Sequence, residues 1–189
     1  MTNSLKAKKE NSLLLSLNLM GLLGISATLL VAFYYQLMIK DLPCPLCLLQ
    51  RVGLMLIGFG FLFNVRFGIK DIHYGFALIG CVLTCSIAAR QMFLHILPGD
   101  PGYGSIFMGL HFYTWALITS LFAVVAIAIL LMLSRDDINV EKPLGIPLWG
   151  KFSILLFTVM IVANLISTVL ECGSGQCAEN PTYYQLIGK

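Results

Sequence analysis

The sequence predicts an all-α membrane protein built as a bundle of about five transmembrane helices. Three observations carry that reading. Of its 189 residues, 58% are hydrophobic and only 11% charged, far too little polar surface for a soluble domain of this length. Mean hydropathy is +0.88. Apolar residues also gather in five stretches that approach or exceed the roughly 20 residues a helix needs to cross the hydrocarbon core. Runs of this length do not lie in lipid as open strands, because their backbone groups would go unpaired. The net charge of +3 is small, and most basic residues sit between apolar segments. That pattern gives no nucleic-acid footprint, so no nucleic-acid partner is expected.

In chain order the five predicted spans are Leu13–Ile39, Leu46–Phe63, Ile72–Leu97, Gly109–Leu133 and Phe152–Leu170. The first is too long for a cleaved signal core and lacks a small-residue cleavage site near its end, so it is expected to stay as an anchor. The second opens behind the proline-flanked segment around Cys44. The third ends before Pro98. The fourth begins among His111, Tyr113 and Trp115, which suit an aromatic belt at a membrane interface. The fifth is diluted by Asn164, Ser167 and Thr168 but holds no charge. No internal repeat or domain boundary divides the chain, which reads as one integral membrane domain over residues 1–189.

Short-loop lysines and arginines set orientation. One side holds Lys6, Lys8, Lys9, Arg66, Lys70, Arg135, Lys142 and Lys151, and the other holds Lys40 and Lys189. Eight against two predicts a cytoplasmic N-terminus and, after five spans, an exterior C-terminus. The connections around Lys40–Pro43 and Pro98–Met108 and the tail Glu171–Lys189 then face outward, where disulfides persist.

Six cysteines are present: Cys44, Cys47, Cys81, Cys85, Cys172 and Cys177. The sharpest motif is Leu42-Pro43-Cys44-Pro45-Leu46-Cys47-Leu48-Leu49-Gln50-Arg51. Cys44 and Cys47 can close the small ring of a redox-active pair, at a helix N-terminus whose dipole and unpaired N–H groups favour a thiolate. Pro45 suits the first helical turn. No histidine follows Cys47, which argues against c-type heme attachment. Arg51 lies on the same face about one turn, or ~6 Å, deeper. Two readings stand for it: a snorkelling arginine reaching the headgroups, or a cation that lowers the thiolate pKa and binds a carbonyl of an acceptor. Arg90 and Gln91 on the third span sit at a depth similar to Gln50 and Arg51, so the four are expected to grip a polar headgroup whose tail lies in lipid. His95 reads either as a proton-transfer aid to that group or as an interfacial histidine.

The second exterior pair lies in Glu171-Cys172-Gly173-Ser174-Gly175-Gln176-Cys177. Its glycines allow a disulfide to form and swing, and the alternative is a structural disulfide that fixes the tail. Cys81 and Cys85, at i and i+4 inside the third span, read as small packing residues.

The cysteine motif and the stretch Ala89-Arg90-Gln91-Met92-Phe93-Leu94-His95 before Pro98 resemble the DsbB family of bacterial disulfide-bond-formation proteins. The resemblance covers roughly residues 12–135, a four-helix core, and leaves a fifth helix and tail over about 149–189. It implies a thiol:quinone oxidoreductase of the bacterial inner membrane, with the active cysteines on the periplasmic side. The Cys44–Cys47 disulfide would be regenerated by a quinone, ubiquinone or menaquinone, with Cys47 nearest the ring and Arg51 stabilising the pair. A second, mobile pair would oxidise a soluble, periplasmic thioredoxin-fold partner of the DsbA type, sustaining disulfide formation in exported proteins. The chain departs from the family pattern in one respect. The connection Pro98–Met108, where the family usually holds its second pair, contains no cysteine. Cys172 and Cys177 are expected to replace it, which makes Cys44, Cys47, Cys172 and Cys177 the catalytic set. Three other readings remain: a four-thiolate zinc site, a reductive conduit passing electrons outward, and a transporter or scaffold with incidental cysteines.

Overall fold

A computed structural model describes residues 2–133 and 145–188, with residues 2–10 described by backbone alone. Of the charges used to orient the chain, the side chains of Lys6, Lys8 and Lys9 and the residues Arg135, Lys142 and Lys189 lie outside this description. Among the described residues five α-helices form: α1 (Thr2–Tyr34), α2 (Pro45–Phe67), α3 (Asp71–Leu94), α4 (Phe112–Leu133) and α5 (Leu148–Cys172). All five are long and apolar enough to cross a membrane. Large apolar side chains such as Phe122, Met132, Leu148 and Phe152 stand exposed around the bundle. Such a surface suits lipid and would be an association hazard in water.

Local chemistry sets the helix ends. The first span runs on from α1 through a π-helical turn, Tyr35–Ile39, and stops at Lys40 in the left-handed region (φ 59°). α3 carries Asp71 in its first turn, at the positive end of its dipole. It ends at Leu94, three residues short of the expected Leu97, because the chain is already turning toward Pro98, with the Asp100 N–H donating to the Leu97 carbonyl at 3.1 Å. The fourth span starts at Phe112 rather than Gly109. The intervening residues form a small antiparallel hairpin, β1 (Ile106–Phe107) and β2 (Leu110–His111). Its turn places Met108 (φ 50°) and Gly109 (φ 84°) in the left-handed region, and a methionine there gives no turn signal to a sequence reader. α5 extends past Leu170 to include Glu171 and Cys172, which the sequence assigns to the tail.

α2 and α3 pack most closely. A Cβ added at Gly80 would meet the Ile57 nitrogen at 2.7 Å and the Gly53 carbonyl oxygen at 2.9 Å, so the two backbones touch where small residues permit it. The core between helices includes Leu22, Ile57, Tyr74, Ala77, Ile127 and Phe157. Cys81 is fully buried within it, and the Cys85 sulfur lies 3.0 Å from Ser120 Oγ, so both fill packing positions.

Candidate active site

Prolines on both sides of Cys44 keep the chain extended there (φ −68°, ψ 164°), and Pro45 occupies the first turn of α2, where a missing N–H costs nothing. Cys44 is therefore the N-cap of α2, and its Sγ accepts the Cys47 backbone N–H at 3.1 Å. A sulfur takes the place of the usual Ser or Asp oxygen at the positive end of the helix. Cys44 and Cys47 are free thiols. From α3, the Gln91 amide places Nε2 3.4 Å from Cys44 Sγ and 3.5 Å from Cys47 Sγ. Its Oε1 accepts Gln50 Nε2 at 2.7 Å. The Cys47 side chain, helped by the Cys47 backbone N–H and Gln91, outweighs burial and brings the Cys44 thiol down to about 7. That shift favours the thiolate, the nucleophilic form.

One turn along α2, Arg51 is only 8% exposed. Its Nη1 donates to Gln36 Oε1 at 2.6 Å and to Asn164 Oδ1 at 3.1 Å, and its Nη2 donates to the Ala32 carbonyl at 3.3 Å. Gln36 Nε2 donates onward to Ser167 Oγ at 2.6 Å and to the Tyr184 hydroxyl at 3.1 Å. One guanidinium thus collects α1, α5 and the tail, which answers the question left open by the sequence: Arg51 faces the bundle interior and does not snorkel. An arginine at membrane depth requires such partners. Three of its five N–H groups are engaged.

Beside Cys47, Gln50 and Arg51 lies a cavity of about 80 Å³, lined by Tyr35 of the π-helical turn, by Leu42 and Pro43, and by Phe112, Tyr113 and Trp115 of α4. The connection between α3 and α4 is fastened over the cysteine segment. The Tyr103 hydroxyl donates to the Leu42 carbonyl at 2.9 Å, and the Ser105 N–H donates to Asp41 Oδ2 at 2.6 Å. Burial pushes the Tyr103 hydroxyl's pKa up, so it remains a proton donor.

The second pair forms a disulfide, Cys172–Cys177. Cys172 belongs to the last turn of α5 and is 5% exposed, so it does not swing on a hinge. Only the Cys177 side follows the glycine-bearing loop. The tail then folds back, with the Leu186 N–H donating to the Leu170 carbonyl at 3.1 Å.

The structure brings together Cys44, Cys47, Gln50, Arg51 and Gln91, and sets Cys172 and Cys177 at the same end of the bundle. It does not bring Arg90 or His95 to this cluster. Arg90 is exposed, because on a helix the residue before an inward-facing Gln91 points about 100° away. His95 caps α3, contacts Asp100 through Nδ1 at 3.0 Å and stacks on Tyr113. Gln36 and Tyr184 carry no site motif in the sequence, Glu171 stands there only as the start of the tail, and Asn164 and Ser167 only as dilution of the fifth span. Polar residues inside apolar runs were the available signal.

Five helices apolar enough to cross a membrane, a thiol capping one of them and a buried arginine one turn away suit thiol–disulfide chemistry at a membrane. Residues 15–106 match the family model described as "Disulfide bond formation protein DsbB". Through this segment, just under half of its length, the chain is similar to the DsbB family. It is 37% identical over 90 residues to a disulfide bond formation protein B of Nitrosomonas eutropha (46% of this chain, 52% of the relative). It is 39% identical over 83 residues to that of Hahella chejuensis (41% and 50%), and 38% identical over 87 residues to that of Acinetobacter baumannii (42% and 51%). The chain spans about half the length of these curated relatives. Cys172 and Cys177 lie outside the family match. No solved structure matches the chain significantly.

Proposed function

We propose that the protein is a bacterial inner-membrane thiol:quinone oxidoreductase that reoxidises a DsbA-like, thioredoxin-fold partner in the periplasm. The reading includes a cytoplasmic N-terminus and both cysteine pairs on the periplasmic side. The observation that carries it is the placement of Cys47 on the wall of the Arg51 cavity, with Cys44 as helix cap beside it.

The cavity residues suit a quinone in kind: aromatic rings, the Gln50 amide and the unengaged N–H groups of Arg51. Its about 80 Å³ is smaller than the roughly 150 Å³ space that holds a benzene, so entry of a ring involves movement of Tyr35 or Phe112. A bound quinone would supply the acceptor for two electrons and two protons. Arg51 would orient it through its free N–H groups, and Cys47 would be the sulfur nearest to it. Gln91 holds Cys44 and Cys47 on one amide, so the pair stays aligned as it passes between dithiol and disulfide.

Cys177, on the looser side of its disulfide, is the sulfur that meets the soluble partner. Cys172, held on α5, passes the electrons on to Cys44. The partner dithiol becomes a disulfide as Cys172–Cys177 is reduced. The tail pair is then reoxidised as Cys44–Cys47 is reduced, and each transfer moves two electrons by thiolate attack on a disulfide.

Trapping tests the relay. In a Cys172→Ala variant, Cys177 is expected to accumulate a mixed disulfide with a DsbA-type protein, seen as a shifted, reductant-sensitive band. If neither Cys172→Ala nor Cys177→Ala ever traps a soluble protein, the tail pair does not serve as the entry point.

A further inference from the structure

Glu171 is a buried carboxyl at this end of the bundle whose role the relay leaves unexplained. It is 2% exposed, and among the described residues neither Oε1 nor Oε2 has a hydrogen-bond partner. It immediately precedes Cys172 in the last turn of α5. The returning tail covers it, with the Gln185 N–H donating to the Glu171 carbonyl at 3.4 Å. Its carboxyl lies within electrostatic reach of both Arg51 and Cys44. The other titratable groups around this site are Asp41, Tyr103 from the α3–α4 connection, and Tyr184 from the tail. A buried carboxyl held by no hydrogen bond is costly and does not persist without compensation. Arg51 is engaged by Gln36, Asn164 and Ala32, so it supplies field but no direct bond.

We infer that Glu171 is the proton acceptor for exchange between the two cysteine pairs, a role that rests on the relay proposed above. The reduced tail pair presents Cys172 as a thiol, which is a poor nucleophile until deprotonated. Glu171 takes that proton as Cys172 Sγ bonds to Cys44 Sγ and the Cys44–Cys47 bond breaks, leaving Cys47 as thiolate. Cys177 then attacks Cys172 and releases Cys44 as thiolate, to which Glu171 returns the proton. The Cys177 proton reaches Cys47 through solvent. Two electrons and two protons pass from the tail dithiol to the helix pair. Arg51 steadies the carboxylate during the interval in which it is charged.

The test compares wild type, Glu171→Gln and Glu171→Asp in ubiquinone-1 reduction from pH 5.5 to 9, driven by a reduced DsbA-type protein. In parallel, the same Glu171 substitutions are placed in a Cys172→Ala/Cys177→Ala background driven by dithiothreitol, which reduces Cys44–Cys47 without the tail. Glu171→Gln is expected to lower the protein-driven kcat by about tenfold or more and to remove the acid limb of its pH profile. Glu171→Asp is expected to retain that limb, and the dithiothreitol-driven rate is expected to change by less than about twofold. An unchanged protein-driven rate in Glu171→Gln, or an equal fall in both assays, overturns the role while leaving the relay standing. A wild type that accepts electrons from dithiothreitol but never from the protein donor removes the relay and the Glu171 role together.

Discussion

Arg51 Nη1 donates to Asn164 Oδ1 at 3.1 Å, a bond between the second helix and the fifth across a sequence separation of 113 residues. It ties α5 to the cysteine end of the bundle, although α5 lies beyond the segment that matches the family. Gln36 joins the same two elements by bonding Arg51 and Ser167.

Replacing Asn164 with Leu leaves a buried guanidinium short of one acceptor. A hydrogen bond to a charged group contributes roughly 2 kcal/mol, and a buried charge left short of a partner costs at least that. The thermal unfolding midpoint of Asn164→Leu in detergent should therefore fall clearly below wild type. An unchanged midpoint would mean the α2–α5 bond carries no stability.

Cys44 should titrate near neutrality. Its thiolate is favoured by the Cys47 side chain first, then by backbone and Gln91 donors, which bring it to about 7. Residue-resolved alkylation of the reduced protein should rise with a midpoint near that value. Gln91→Leu removes a donor to the thiolate, so the sign is upward: less thiolate at pH 7 and a midpoint displaced toward the ordinary thiol range. A midpoint unmoved by Gln91→Leu would show that the amide does not act on Cys44.

Arg90 and Arg51 should behave differently. Arg90 is exposed and takes part in no described hydrogen bond, so Arg90→Ala should leave stability within about 0.5 kcal/mol and quinone reduction within about twofold. Arg51→Ala removes the anchor shared by α1 and α5, and should raise the KM for quinone and lower kcat by at least about tenfold. Equal losses in the two variants would restore the paired-arginine site that the sequence suggests.

Gly80 sits where α2 and α3 backbones touch. Gly80→Val should separate them, cost upward of about 2 kcal/mol, and draw Gln91 away from Cys44. The thermal midpoint and the Cys44 alkylation midpoint are expected to shift together. A stable Gly80→Val protein with an unchanged Cys44 midpoint would show that this contact does not set the site.

The spans were legible in the sequence because each is a long apolar run, and lipid leaves a backbone few choices. The thiol pair was legible because Pro45 and Cys47 mark a helix start. The partners of each side chain were not. Gln91 and Arg90 are adjacent, and only the rotation of α3 decides which faces α2. Asn164 looked like a weakness in a membrane span until its partner, Arg51, was placed beside it. The hairpin before α4 escaped notice because its left-handed turn begins with Met108, a residue with no turn preference. Glu171 was read as the start of a tail, since a charged residue after an apolar run ordinarily marks the membrane edge. The structure instead buries it within the last turn of α5.

The most direct test of the central claim is quinone reduction by the purified protein with a reduced DsbA-type protein as donor, comparing wild type with Cys47→Ala and Cys177→Ala. The account predicts steady turnover in wild type and none in either variant. Turnover that survives in Cys177→Ala would confine the tail disulfide to a structural role. A wild type that reduces neither ubiquinone nor menaquinone would contradict the claim itself.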